Sequence, residues 1–143
     1  MKITEAGKND YEALKKLFLE ERKRTFSWLD TSEYQLDDFE KQTQGEYILT
    51  ALIDDIPVGF ISIWKPNNFI HHLYVDQNHQ GKKIGTELIQ AAIAVVKLPL
   101  TLKCLENNTK AVEFYKKIGF AEKGKGDSVN GTYIIFELTK NIG

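Results

Sequence analysis

From Phe69 to Leu88 the chain reads FIHHLYVDQNHQGKKIGTEL: a β-rich run, a polar turn, and a doubly basic, glycine-containing loop that opens a helix. That order of elements builds an anion cradle. The first turn of a helix has N–H groups with no intrahelical partner, and they carry the positive end of the helix dipole. Gly81 and Gly85 let the main chain approach a ligand, because no Cβ stands in the way. Lys82 and Lys83 add full charges at the same place. Such a loop can hold a phosphate or pyrophosphate without a metal, so a nucleotide-like ligand and no metal site are expected.

Two familiar phosphate loops fail on spacing. A P-loop needs two glycines separated by four residues, then Lys-Ser or Lys-Thr. Here three residues separate Gly81 from Gly85, and Thr86 follows without the lysine. The dinucleotide fingerprint Gly-x-Gly-x-x-Gly is also absent.

The rest of the chain alternates strands and helices with short connections. A short strand is expected at Lys2–Glu5, then a helix capped by Asn9 or Asp10 with Tyr11, Leu14, Leu17 and Phe18 on a 3.6-residue period. A weaker helix, capped by Thr31 or Ser32, is expected through about Thr43. Residues 46–53 and 58–64 read as strands joined in a hairpin across Asp54-Asp55-Ile56-Pro57. Strands at Phe69–Val75, 100–104 and 133–139 and helices at 84–97 and Thr109–Ile118 complete the pattern. Hairpins together with crossover helices imply a mixed, mostly antiparallel sheet flanked by helices, an α/β (α+β) fold. At 143 residues it is expected to be one domain, 1–143.

Charge is near balance overall but unevenly spread. Residues 25–60 hold eight acids against Lys41 alone, whereas residues 80–125 hold nine lysines against four glutamates. The acidic stretch suits a cationic group and the basic stretch suits phosphates. A nucleic-acid footprint would be basic throughout, so no nucleic-acid partner is expected. No apolar run reaches a membrane span, and the single cysteine, Cys104, fits a reducing compartment. A cytoplasmic location follows as the expectation.

A second segment narrows the reading. In ENNTKAVEFYKKIGF, residues 106–120, Asn108 stands at a helix start and Ala111, Phe114, Tyr115 and Ile118 share one helical face. Phe114 and Ile118 read as core. Tyr115 differs, because a buried phenol needs a hydrogen-bond partner.

Together the two segments resemble the GNAT superfamily of N-acetyltransferases. Its pattern is a strand, then Gln/Arg-x-x-Gly-x-Gly/Ala opening a helix, and later Asn-x-x-Ala-x-x-Phe-Tyr-x-x-x-Gly-Phe. Gln80, Gly85, Asn108, Ala111, Phe114, Tyr115, Gly119 and Phe120 match; Lys83 stands where a central glycine is usual. The resemblance implies acetyl-CoA as co-substrate, with its pyrophosphate on Gln80, Gly81, Lys82, Lys83, Ile84, Gly85 and Thr86. It implies a sheet splayed between the fourth and fifth strands, with the pantetheine arm along the fourth strand at Leu73, Tyr74 and Val75. By the same resemblance Asn108 would hydrogen-bond the cofactor, and Tyr115 would lie near the thioester sulfur. A homodimer is compatible with the family.

Acetyl transfer to an alkyl amine sets the roles to fill. The amine is mostly protonated at neutral pH, so a base must take a proton. The oxyanion needs a donor, expected from an N–H of residues 73–75, and Tyr115 can protonate the leaving thiolate. Histidine titrates near neutrality, which makes His71 and His72 the base candidates. Strand alternation puts His71 with Phe69, Leu73 and Val75, and His72 with Ile70 and Tyr74, unless a bulge intervenes. Family comparison favours His71; Glu46 is the alternative, and His79 reads as solvated. The acceptor, a small-molecule amine or a peptide N-terminus, would meet residues 24–43, where Phe26, Trp28, Leu29 and Tyr34 could form an apolar wall, with Trp64 nearby. A non-catalytic acyl-CoA-binding or sensor module on the same fold is the alternative reading.

Overall fold

The computed structural model describes residues 1–142. Seven strands form one sheet: β1 (Lys2–Glu5), β2 (Tyr47–Ile53), β3 (Ile56–Trp64), β4 (Phe69–Val75), β5 (Leu100–Leu105), β6 (Ala121–Ser128) and β7 (Gly131–Leu138). Their order across the sheet is β1-β2-β3-β4-β5-β7-β6. Every neighbouring pair is antiparallel except β4 and β5. Four α-helices accompany them: α1 (Tyr11–Thr25), α2 (Asp38–Gln42), α3 (Ile84–Val96) and α4 (Thr109–Ile118). No helix among the described residues is long and apolar enough to cross a membrane.

The two sheet faces bury different halves of the core. On one face Leu14, Leu17 and Phe18 of α1 and Phe39 of α2 pack with Ile48 and Phe60. On the other, Ile84, Leu88, Ile89 and Ala92 of α3 meet Ile61, Ile63 and Ile70, and the cluster runs on to Tyr115, Phe120 and Phe136. Each such fully buried side chain contributes about 1.5–3 kcal/mol. Successive residues of β2 and β3 serve opposite faces, which is why these strands are apolar almost throughout.

Local chemistry explains the turns. Asp54 and Asp55 both have positive φ, 53° and 63°, so the β2–β3 connection is the two-residue mirror-image turn that suits the strand twist. Asn108 caps α4 by accepting from the Ala111 N–H, and Gly119 ends the helix at φ 114°.

Two elements depart from the sequence expectation. The helix expected from Thr31 to Thr43 shrinks to Asp38–Gln42. The Asp30 carboxylate accepts from the Ser32 N–H, and the Asp38 carboxylate accepts from the Gln35 N–H, so local turns take the donors a longer helix would need. Strand β6, AEKGKGDS, carries no strong β-former, yet it pairs with β7 along its length through the Ser128–Gly131 turn. Main-chain pairing to an existing edge outweighs its poor propensity.

Candidate active site

Strands β4 and β5 pair only at Phe69↔Thr101 and Ile70↔Leu102. Beyond Ile70, β4 has no strand partner on that side, which leaves an open edge along Leu73, Tyr74 and Val75. Its far end meets the basic loop. Gln80 donates its side-chain N–H to the Val75 carbonyl at 3.3 Å, which folds the loop back onto the strand. Glu21, buried in α1, accepts from the Gln77 N–H at 3.1 Å and ties the first helix to the same turn. Burial raises the Glu21 pKa.

The loop ends in three free donors. The first α3 bond runs from the Glu87 N–H to the Lys83 carbonyl, and no side chain caps the helix. The N–H groups of Ile84, Gly85 and Thr86 therefore precede the ladder. The Ile84 side chain is buried in the core, so that residue offers only its main chain. Gly81 has φ +81° with open space where a Cβ would stand. Gly85 serves a purpose other than ligand approach: a Cβ there would lie 3.2 Å from the Phe114 ring, so its bare Cα lets α4 pack against α3. Lys83 sits in the left-handed region, φ 62° and ψ 20°, a conformation that costs an L-residue roughly 1–2 kcal/mol. That geometry is the physical reason for a glycine at this place in the family pattern.

His71 stands at the fork, one residue past the last β4–β5 pair. Between Ser62/His72 and Ile63/Ile70 the register shifts, and His71 is the extra residue of a β-bulge. The bulge overturns simple alternation. Ile70 joins Leu73 and Val75 on the α3 face, while Tyr74 packs on the α1 face. His71 and His72 come to stack on each other, ring centroids 3.8 Å apart, with Phe69 6.4 Å from His71.

The two histidines differ in surroundings. The His71 side chain is 40% exposed and its Nδ1 lies 2.7 Å from Glu46 Oε2, on a carboxylate side chain only 7% exposed. His72 is buried edge-on to Phe18 at 4.8 Å. Burial above all, then His71 and Arg22, pushes its pKa down to about 3, so it is neutral at ordinary pH. His79, expected to be solvated, is half-buried and paired with Asp76 at 2.8 Å.

Tyr115 comes from α4. It is buried among the rings of Phe114, Phe120 and Phe136. Burial, with Cys104 and Tyr74 adding to it, raises its phenol pKa far above the ordinary value. Burial likewise raises Tyr74 and pushes the Cys104 thiol up to about 11. Tyr74 on β4 and Tyr115 on α4 are thus two phenols held protonated by burial. Asn108 spends its side-chain oxygen on the α4 cap, which leaves its amide N–H groups free.

Among the expected acceptor residues, Phe26 and Trp28 meet edge to face and Trp28 is exposed. Tyr34 instead stacks under the Arg22 guanidinium, which also pairs with Asp38 at 3.1 Å, so that tyrosine is part of the scaffold. Trp64, exposed, packs beside Gly45, next to Glu46.

Residues 11–120 match the Acetyltransferase (GNAT) family. The chain belongs to that family. It is 36% identical over 73 residues to the peptidyl-lysine N-acetyltransferase YjaB of Salmonella typhimurium, which covers 51% of this chain and 48% of that protein. The match thus spans about half the length of that relative. Against YjaB of Escherichia coli it is 30% identical over 101 residues, 68% of this chain and 67% of that protein. Its fold follows that of the PaiA N-acetyltransferase of Thermoplasma acidophilum in complex with coenzyme A: TM-score 0.81, 22% identity, 97% and 98% of the two chains. The mixed sheet that parts at β4 and β5 is therefore a GNAT sheet.

Proposed function

We propose that the protein is an acetyl-CoA-dependent N-acetyltransferase that moves an acetyl group to a primary amine by direct attack on the thioester. The observation that supports this reading is the fork itself: β4 and β5 part after Ile70, the Glu46-paired His71 stands one residue beyond, and the uncapped start of α3 follows the same strand.

The loop of Gln80, Gly81, Lys82, Lys83, Ile84, Gly85 and Thr86 would hold the cofactor pyrophosphate, with three N–H groups and two ammonium groups as donors. Pantetheine amides would pair with the open β4 edge at Leu73, Tyr74 and Val75, as an added strand does, and Asn108 would offer an amide N–H. An N–H of the same edge would receive the oxyanion.

His71 takes the amine proton. Ionised Glu46 can only accept, so His71 Nδ1 carries the proton between them, and its Nε2 lone pair is left for the substrate. The freed amine attacks the thioester carbon, the C–N bond forms, and the C–S bond breaks. Tyr115 gives its proton to the departing thiolate, and the second nitrogen proton, made acidic by acylation, passes through water to the tyrosinate and restores the phenol. Burial that keeps the phenol protonated also makes a thiolate in the same cleft more basic, so the transfer stays matched.

The acceptor is an amine on a small molecule or a peptide. YjaB is named for peptidyl-lysine, which makes lysine-containing peptides the first to try. The test is thiol release from acetyl-CoA across a panel of free amines, polyamines and lysine peptides, with the product identified by mass. Amine-dependent release with one acetyl group gained supports the reading. Saturable coenzyme A binding without turnover on any acceptor would replace it with a sensor module.

A further inference from the structure

The β4 bulge does more than expose a base. It brings three potential metal ligands together: the donor atoms of Glu46, His71 and His72 all lie within 4.8 Å of one another. Two of these residues present buried polar atoms with no partner. Glu46 Oε1 and His72 Nε2 are both buried without a hydrogen bond. Leaving such atoms unpaired costs about 1–3 kcal/mol each, and an ion or a bound water is a common remedy.

The state of His72 suits a ligand. Its Nε2 is buried with no hydrogen-bond partner. A neutral imidazole with one ring nitrogen unpartnered can offer that nitrogen's lone pair to a metal ion. Two imidazoles and one carboxylate are also the donor set of many open zinc sites, with the fourth position left for water. His71, 40% exposed, gives solvent a way in.

We infer that Glu46, His71 and His72 form a binding site for a divalent transition-metal ion of the zinc class. A tetrahedral ion with bonds of about 2.0–2.1 Å spaces its ligands roughly 3.3–3.5 Å apart. The three donor atoms lie within 4.8 Å of one another and His71 Nδ1 is 2.7 Å from Glu46 Oε2, so rotation of the exposed His71 brings the set to that spacing. Coordination exchanges the 2.7 Å His71–Glu46 hydrogen bond for two bonds to the ion, and the His71 proton moves to its outer nitrogen or to water. Binding stands independently of the proposed function. Its consequence rests on that reading: an occupied site takes His71 away from the amine, so the ion inhibits acetyl transfer.

The test uses the intact protein after chelation and dialysis. Cobalt(II) is titrated in and its visible d–d bands are followed, and zinc binding is measured by calorimetry. One equivalent of ion with four-coordinate bands is expected, with affinity falling about tenfold or more in His72→Gln and in Glu46→Gln. Should a variant fold poorly, zinc-induced shifts of the His71 and His72 ring resonances in the wild type decide the matter. No saturable binding, or binding unchanged in both variants with those resonances unmoved, overturns the site and leaves the transferase reading intact. Saturable binding at these residues with undiminished turnover keeps the site but removes His71 from the base role.

Discussion

His71 Nδ1 rests 2.7 Å from a Glu46 oxygen, although the two residues lie 25 positions apart and β3 lies between β2 and β4. Glu46 stands just before β2, while His71 is the extra residue at the fork of β4. A carboxylate only 7% exposed thus orients a histidine that reaches solvent. In the proposed mechanism Glu46 acts through His71 and not as a base in its own right.

Removing the carboxylate should therefore slow chemistry more than binding. Glu46→Gln is expected to lower kcat by about 10²-fold, with the affinity for acetyl-CoA unchanged. Steady-state kinetics beside calorimetry with coenzyme A checks this. A lost cofactor affinity with intact kcat would place Glu46 in binding instead.

Tyr115→Phe deletes one hydroxyl from a ring packed between Phe114 and Phe120. Cofactor binding should persist while turnover drops roughly 10²- to 10⁴-fold, the range of acid–base effects. Wild-type turnover in this variant would show that the thiolate leaves unassisted or draws its proton from water.

Lys83 holds a left-handed conformation at the start of α3. Lys83→Gly should stabilise the fold by about 1 kcal/mol, since glycine takes positive φ without strain. Lys83→Ala loses the same charge but keeps the strain, so it should show no such gain. Urea unfolding of both variants separates the two effects; equal stability would rule out strain at this loop.

Burial pushes the Cys104 thiol from 9.0 up to about 11. As pH rises from 9 towards 11, the unfolded chain ionises while the folded chain keeps its proton, so folding stability falls across that window. Cys104→Ala lacks this contribution. The expected outcome is a wild-type protein that loses ground to Cys104→Ala between those pH values and not below them. Parallel pH dependences in denaturant melts would contradict it.

Much of the architecture follows from local chemistry. Apolar period, turn-formers and caps set the strand Phe69–Val75, the Asp54-Asp55 turn and the Asn108 cap, because each depends on interactions within a few residues. The start of α3 after the glycine-containing loop and the helix α4 after Asn108 were readable for the same reason. Strand β6 was not, since its stability comes from β7 and not from its own residues. The short α2 was hidden as well, because Asp30 and Asp38 spend their carboxylates on turns that a helical pattern does not reveal.

The site divides along the same line. The sequence alone determined which residue types were available: two histidines on one strand, a tyrosine beside a phenylalanine on a helix, lysines around a glycine loop. Tertiary structure decided how they meet. Alternation would send His71 and His72 to opposite faces, and one bulged residue stacks them instead at 3.8 Å. Gly85 turned out to make room for Phe114, and Lys83 to bear the strain a glycine would avoid. Register, bulges and inter-strand distances arise from packing between segments far apart in the chain, and no local pattern encodes them.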